Sequence, residues 1–171
     1  MKVAIVMGSD SDLDVMSAAV STLSAFGIPH EVHCVSAHRD PEGMIAFGKS
    51  AVEDGFGVII AAAGGAAHLP GMLASVTELP VIGVPVGREA TAGMDALLSI
   101  AQMPAGIPVA TMAINGAENA ALLAIRILAL SDEAIAVKIR QHQKDLRAVV
   151  AKKDAKIQQL VAKNSNSKKK K

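Results

Sequence analysis

The stretch Val58-Ile59-Ile60-Ala61-Ala62-Ala63-Gly64-Gly65-Ala66-Ala67-His68-Leu69-Pro70-Gly71-Met72 decides the fold. It opens on an unbroken apolar run without alternation, the pattern of a strand covered on both faces. Two glycines then turn the chain, and Leu69 to Val76 reads as a short helix. A buried strand feeding a helix through a glycine turn is the joint of an α/β sheet, and ligands collect outside the carboxyl ends of such strands. His68 stands at that end.

Working outward, the same alternation covers the first 131 residues. Lys2 to Met7 reads as a strand and Gly8-Ser9-Asp10-Ser11 as a turn, with Ser11 or Asp10 able to cap the helix that follows. Leu13, Met16, Val20 and Leu23 recur at helical spacing, and Gly27-Ile28-Pro29 ends that helix. His30 to Val35 reads as a second buried strand and leads into Ser36-Ala37-His38-Arg39. Asp40-Pro41-Glu42 starts another helix, with an N-cap aspartate, proline at the first position and an acid in the first turn. Gly55 closes it. Further strands are predicted at about 57–63, 81–84 and 109–114, with helices at 94–102 and 117–130. The reading is an α/β fold: a flavodoxin-like, doubly wound, five-stranded parallel sheet in three α/β/α layers. Residues 1–131 form its catalytic domain.

Ser131-Asp132-Glu133 then opens a long C-terminal helix over 132–163. Ile135, Ile139, His142, Leu146 and Val149 form a stripe with alternating spacings of four and three. That stripe is predicted to dock on the body or on a neighbouring subunit, with His142 packing within it. Residues 164–171, a lysine-rich tail, are predicted to be disordered.

Composition narrows the function. The 171 residues are 51% hydrophobic and 19% charged, which fits one folded domain. There is no Trp or Tyr and there are three Phe, so the core is aliphatic and an FMN electron carrier, which stacks aromatics on its flavin, is disfavoured. A receiver domain needs an aspartate at the end of the third strand, where this chain has Ala61-Ala62-Ala63. A mean hydropathy of +0.37 points to apolar surface covered by identical subunits, with a tight monomeric core as the alternative. No apolar run reaches membrane-spanning length: His68, Glu78 and three prolines break the stretch from Val58 to Val86. The N-terminal apolar run is too short for a signal peptide. A lone Cys34 excludes an internal disulfide and fits the cytoplasm; its place in a strand predicts an inert core thiol. Residues 1–131 carry five basic and twelve acidic side chains, and residues 132–171 carry twelve and four. The basic end raises nucleic-acid binding as an alternative, set aside because lysine tails commonly serve only to solvate.

The chemistry-bearing residues gather at strand ends. The turn Gly8 to Asp12 offers backbone N–H groups, a helix N-terminus and the hydroxyls of Ser9 and Ser11, a setting suited to phosphate. Asp12 is awkward beside a phosphate and better placed on a sugar hydroxyl. Arg39 follows the neighbouring strand and supplies a bidentate phosphate clamp. Arg126 lies within a helix, and Arg88 is given no part. His38, beside Arg39, is a candidate general acid–base. Gly64 and Gly65 allow close approach of backbone to ligand, and Ala66 and Ala67 leave their amides open, a site for a carboxylate or CO2-sized fragment beside His68. The histidines lack metal-binding spacing, and a Ser36–His38 hydrolase pair lacks its nucleophile elbow.

Taken together, these segments resemble the class I 5-(carboxyamino)imidazole ribonucleotide mutases of bacterial purine biosynthesis, the PurE family. The resemblance rests on Val3 to Asp12, Val35 to Arg39, Ala63 to Met72, Val81 to Val86, Leu98 to Pro104 and Asn119 to Ala124. It implies an isomerase that moves a carboxylate from the exocyclic nitrogen of an aminoimidazole ribonucleotide to ring carbon 4, by decarboxylation and recarboxylation with trapped CO2. The alternative is direct carboxylation with free CO2, as in the related class II branch. By position, the resemblance makes His38 the acid–base and places His68 in the catalytic loop. Ser9, Ser36 and Arg39 match phosphate contacts, with Ser11 and Ala37 in the same two segments, and Asp12 matches a ribose contact. Gly64, Gly65, Ala66 and Leu69 enclose the base and the migrating CO2. No metal or cofactor is implied, the expected assembly is a homo-octamer, and neither membrane nor nucleic acid is an expected partner. Three departures stand out. Ala62 replaces a usual glycine, which is expected to crowd the pocket floor, the loop at Ile114 to Ala117 is short, and the lysine-rich C-terminus falls outside the resemblance.

Overall fold

The computed structural model describes residues 1–168. Its strands are β1 (Lys2–Met7), β2 (His30–Cys34), β3 (Phe56–Gly64), β4 (Val81–Val86) and β5 (Ala110–Thr111). All pairs are parallel, in the order β2-β1-β3-β4-β5. Helices α1 (Leu13–Ala25), α2 (Pro41–Ser50), α3 (Leu69–Ala74), α4 (Met94–Ala101), α5 (Ala117–Leu128) and α6 (Glu133–Lys168) complete the chain.

The central strands are apolar throughout because both faces of the sheet are covered. Val3, Ile5, Val58, Ile60, Ile82 and Val84 face one layer, packed with Met16 and Leu23 of α1 and Ala121 and Ile125 of α5. Ala4, Val6, Ile59 and Ala61 face the other, against Met44 of α2, Leu73 of α3 and Ile100 of α4. Every one of these residues is buried. Alanines at Ala120, Ala121 and Ala124 let α5 lie close to the sheet.

Three expectations change. The second strand was read as buried, but β2 is an edge strand and largely exposed. Its sequence, His-Glu-Val-His-Cys, explains this: polar groups suit an unpaired edge and guard it against further pairing. Glu31 accepts from Lys2 Nζ at 2.5 Å and lies 3.2 Å from His33 Nε2. Cys34 is consequently exposed rather than a core thiol. The fifth strand pairs over only two residues, because Met112 donates to Gly83 and the chain then bends through Asn115 at φ 59°. The helical backbone of α6 runs on through Asn164–Ser167, within the segment expected to be a lysine-rich tail. No glycine or proline follows Gly116 to stop it. Residues 169–171 of that expected tail lie outside the described residues.

The stripe of α6 divides. Ile135 and Ile139 pack against the core, and the His142 ring meets Phe26 edge-on at 5.4 Å. From Gln143 to Leu160 the helix is exposed, Leu146, Val149, Val150, Ile157 and Leu160 included.

Candidate functional site

Sheet register sets the site. Met7, the last residue of β1, is level with Cys34 on one side and Ala62 on the other. The loops that follow β1, β2 and β3 therefore leave the sheet at one height. Together with the loop after β4 they enclose a cleft.

The β1 loop begins as an N-capped 3-10 turn. Ser9 is extended, at φ −159° and ψ 154°, and its Oγ accepts from Ser11 N at 3.4 Å. The β2 loop is tied to it by Arg39, whose Nη2 donates to the Gly8 carbonyl at 2.8 Å. Arg39 also donates from its backbone N and from Nε to Ser36 Oγ, each at 3.3 Å. These contacts leave part of the guanidinium fork free for an anion beside the turn. Asp40 caps α2 as expected, accepting from Gly43 N at 3.0 Å.

The β3 loop needs glycine twice. Gly65 turns at φ +65°, a conformation side chains rarely adopt. A Cβ on Gly64 would come within 3.2 Å of the Val86 carbonyl and 2.9 Å of Arg88 Nε. After the turn, Leu69 and Pro70 are buried and root α3 in the core, which fixes His68 at its start.

The two imidazoles, thirty residues apart in sequence, meet here. His38 Nε2 and His68 Nδ1 are 2.8 Å apart, with ring centroids at 4.9 Å and planes at 83°. One nitrogen must donate and the other accept, so the pair cannot hold a proton on both facing atoms at once. A proton arriving at one ring can pass to the other, which makes the pair an acid–base relay at a single point of the cleft.

Asp12 is 3% exposed and is the one buried polar or charged residue among the described residues. Burial pushes its carboxyl above the ordinary aspartate value, and the Arg88 guanidinium and the Ser11 side chain pull in the opposite direction. Arg88 Nη2 donates to Asp12 Oδ1 at 2.6 Å and to Ser11 Oγ at 3.2 Å.

Of the residues marked in the sequence, Ser9, Asp12, Ser36, Ala37, His38, Arg39, Gly64, Ala66, His68 and Leu69 line the cleft. Ser11 and Gly65 do not. Ser11 holds Arg88 from behind Asp12, and Gly65 makes the turn. Ala62 does not reach the pocket floor: it is fully buried on the sheet face that meets α1 and α5, and Ala63 lines the cleft instead. Gly8, which opens the marked turn, also lines the cleft, and so does Arg88, which was missed. Arg88 follows the end of β4 after Gly87, the same kind of strand-end position that marked Arg39, and that signal was available. Among the described residues, no group of His, Cys, Asp and Glu side chains is arranged to hold a metal ion, and no helix is long and apolar enough to cross a membrane.

The family described as AIR carboxylase matches residues 2–169. N5-carboxyaminoimidazole ribonucleotide mutase of Pyrococcus horikoshii is 54% identical over 158 residues, 92% of this chain and 89% of the relative. Phosphoribosylaminoimidazole carboxylase, chloroplastic, of Vigna aconitifolia is 53% identical, over 90% of this chain but 28% of its own length. Among solved structures, the crystal structure of Treponema denticola PurE superposes with a TM-score of 0.83 at 31% identity, covering 90% of this chain and 96% of that one.

Proposed function

The chain belongs to the AIR carboxylase family, and from that premise we infer that it is a mutase of purine biosynthesis acting on 5-(carboxyamino)imidazole ribonucleotide. It moves the carboxylate from the exocyclic nitrogen to ring carbon 4 and yields 4-carboxy-5-aminoimidazole ribonucleotide. The observation that carries this reading is the 2.8 Å imidazole pair facing a cleft that Arg39 and the Gly64–Leu69 turn enclose.

The chemistry follows from proton balance. Breaking the exocyclic N–C bond releases CO2 and requires a proton at that nitrogen. Attack of ring carbon 4 on the same CO2 forms the new C–C bond, after which that carbon must lose its proton. One proton is delivered and one recovered, so the His38–His68 pair ends as it began. General acid–base help of this kind contributes roughly 10²–10⁴-fold. Holding CO2 beside the carbon that captures it replaces a bimolecular encounter with a local one.

Arg39, Ser36, Ser9 and the open N–H groups of the first turn hold the phosphate. Asp12 takes the ribose hydroxyls, with Ser11 behind it. Ala37, Gly64, Gly65, Ala66 and Leu69 close around the base and the CO2. We place the enzyme in the cytoplasm as a homo-octamer. The exposed apolar residues of α6 from Leu146 to Leu160 support burial against other copies, and the free thiol of Cys34 fits a reducing compartment.

The test is spectroscopic conversion of the N-carboxylated nucleotide without ATP or added metal. The mutase reading predicts turnover of that substrate well above turnover of the uncarboxylated nucleotide with bicarbonate. The reverse preference would make the protein a direct carboxylase.

A further inference from the structure

We propose that Arg88 is a positioning residue for the ribose contact: it reaches from the end of β4 across Gly64 to fix the Asp12 carboxylate toward the ligand. The inference rests on the proposed function for the identity of the ligand, but the contact itself does not.

Three observations carry it. First, the side chain takes a defined path. Arg88 Nε lies 2.9 Å from where a Gly64 Cβ would stand, so the absent side chain at Gly64 is what opens the way to Asp12. Second, the root of the side chain is anchored. Gly87 N donates to Asn115 Oδ1 at 2.8 Å, and Asn115 N donates to the Pro85 carbonyl at 2.8 Å. The loops after β4 and β5 thus fix where Arg88 begins. Third, the far end makes two contacts, Asp12 Oδ1 at 2.6 Å and Ser11 Oγ at 3.2 Å. Asp12 is buried, whereas the Arg88 side chain is 46% exposed. The guanidinium thus meets Asp12 from the solvent side of the cleft.

The consequence concerns the acceptor pattern of Asp12. A sugar diol donates two hydrogen bonds, and a carboxylate accepts both only when ionised and correctly turned. With Oδ1 engaged by Arg88, Oδ2 and the second lone pair of Oδ1 are left in a fixed plane. Burial works against the charge and Arg88 works for it. The other groups facing this volume are His38, Arg39 and His68 across the cleft. Asp10 and Asp14 lie on the same turn and at the start of α1.

The experiment compares Arg88→Ala and Arg88→Lys with the unaltered protein. In ligand-free protein, the Asp12 carboxyl carbon is followed by NMR against pH. Its midpoint should move to higher pH in Arg88→Ala and return in Arg88→Lys. In turnover of the N-carboxylated nucleotide, Arg88→Ala should raise KM about tenfold and lower kcat less than threefold, because the ribose lies away from the reacting atoms. In an Asp12→Asn background, Arg88→Ala should add little further. An unmoved midpoint would overturn the proposal, as would a moved midpoint with unchanged KM. An effect on KM that persists in Asp12→Asn would mean that Arg88 touches the ligand itself, and would overturn it too. If the unaltered protein fails to convert the N-carboxylated nucleotide, the proposed substrate falls, while the titration still decides the Arg88–Asp12 contact.

Discussion

β2 and β3 lead into the two paired imidazoles, His38 and His68, yet they are built in opposite ways. β3 is nine residues long, lies in the middle of the sheet and is buried along all but its last residue. β2 is five residues long, lies at the edge and has no fully buried residue. His68 is therefore placed by the core, through a strand bonded on both sides and through Leu69 and Pro70. His38 follows buried Val35 and Ala37 and is held in addition by hydrogen bonds: Arg39 to Gly8, Arg39 to Ser36, and the imidazole contact itself. The difference teaches that one imidazole is set by packing, whereas the other leans in addition on polar ties.

The sharpest way to break this comparison is at the pair. His38→Asn should cut kcat by roughly 10²–10⁴-fold while leaving nucleotide binding within a few-fold, read by turnover and by calorimetric titration. His68→Asn should fall in the same range if the two rings act as one relay. Turnover near the unaltered level in either variant would remove that ring from the mechanism. Next comes the packing side. Ile60→Ala, at a fully buried position of β3, should lower unfolding free energy by about 2–5 kcal/mol in denaturant titration. A smaller loss would mean that the central strand is not what fixes the His68 loop.

Arg39→Ala tests the polar side. It should weaken nucleotide binding by about 1.5–3 kcal/mol, the range for a lost hydrogen bond to a charged group, with little loss of global stability. Unchanged affinity would remove the clamp. The smallest effect is expected at the edge strand: Val32→Ala, 44% exposed, should change stability by no more than about 0.5 kcal/mol. A cost near that of Ile60→Ala would show that β2 is covered in solution.

Much of this was legible in the sequence because the central strands are continuous apolar runs punctuated by Gly8, Gly64 and Gly65. Such runs mark doubly covered strands, and the residues just after them fall at the carboxyl edge whatever the details of packing. His68 was found that way, whereas His38 and Arg39 follow β2, whose end was read correctly although its burial was not. What escaped depends on information that no short window carries. Edge or centre is settled by strand order, so β2 was misread and Cys34 with it. The strand-end position of Arg88 was legible, but its pairing with Asp12 was not: the two lie seventy-six residues apart and meet only once β4 stands beside β3 and β3 beside β1. Ser11 and Gly65 sit in the right segments, but one faces Arg88 and the other is spent on a backbone turn.

The helix that closes the chain has one more consequence. At 1.5 Å per residue, its thirty-six residues span about 54 Å. Helical segments with little tertiary support are marginal in water and loosen gradually on warming. The far portion of α6 should therefore make the ellipticity of an isolated subunit drift downward well before the sheet melts, whereas lateral association would flatten that drift. A thermal scan at two protein concentrations thus turns this helix into a built-in gauge of assembly.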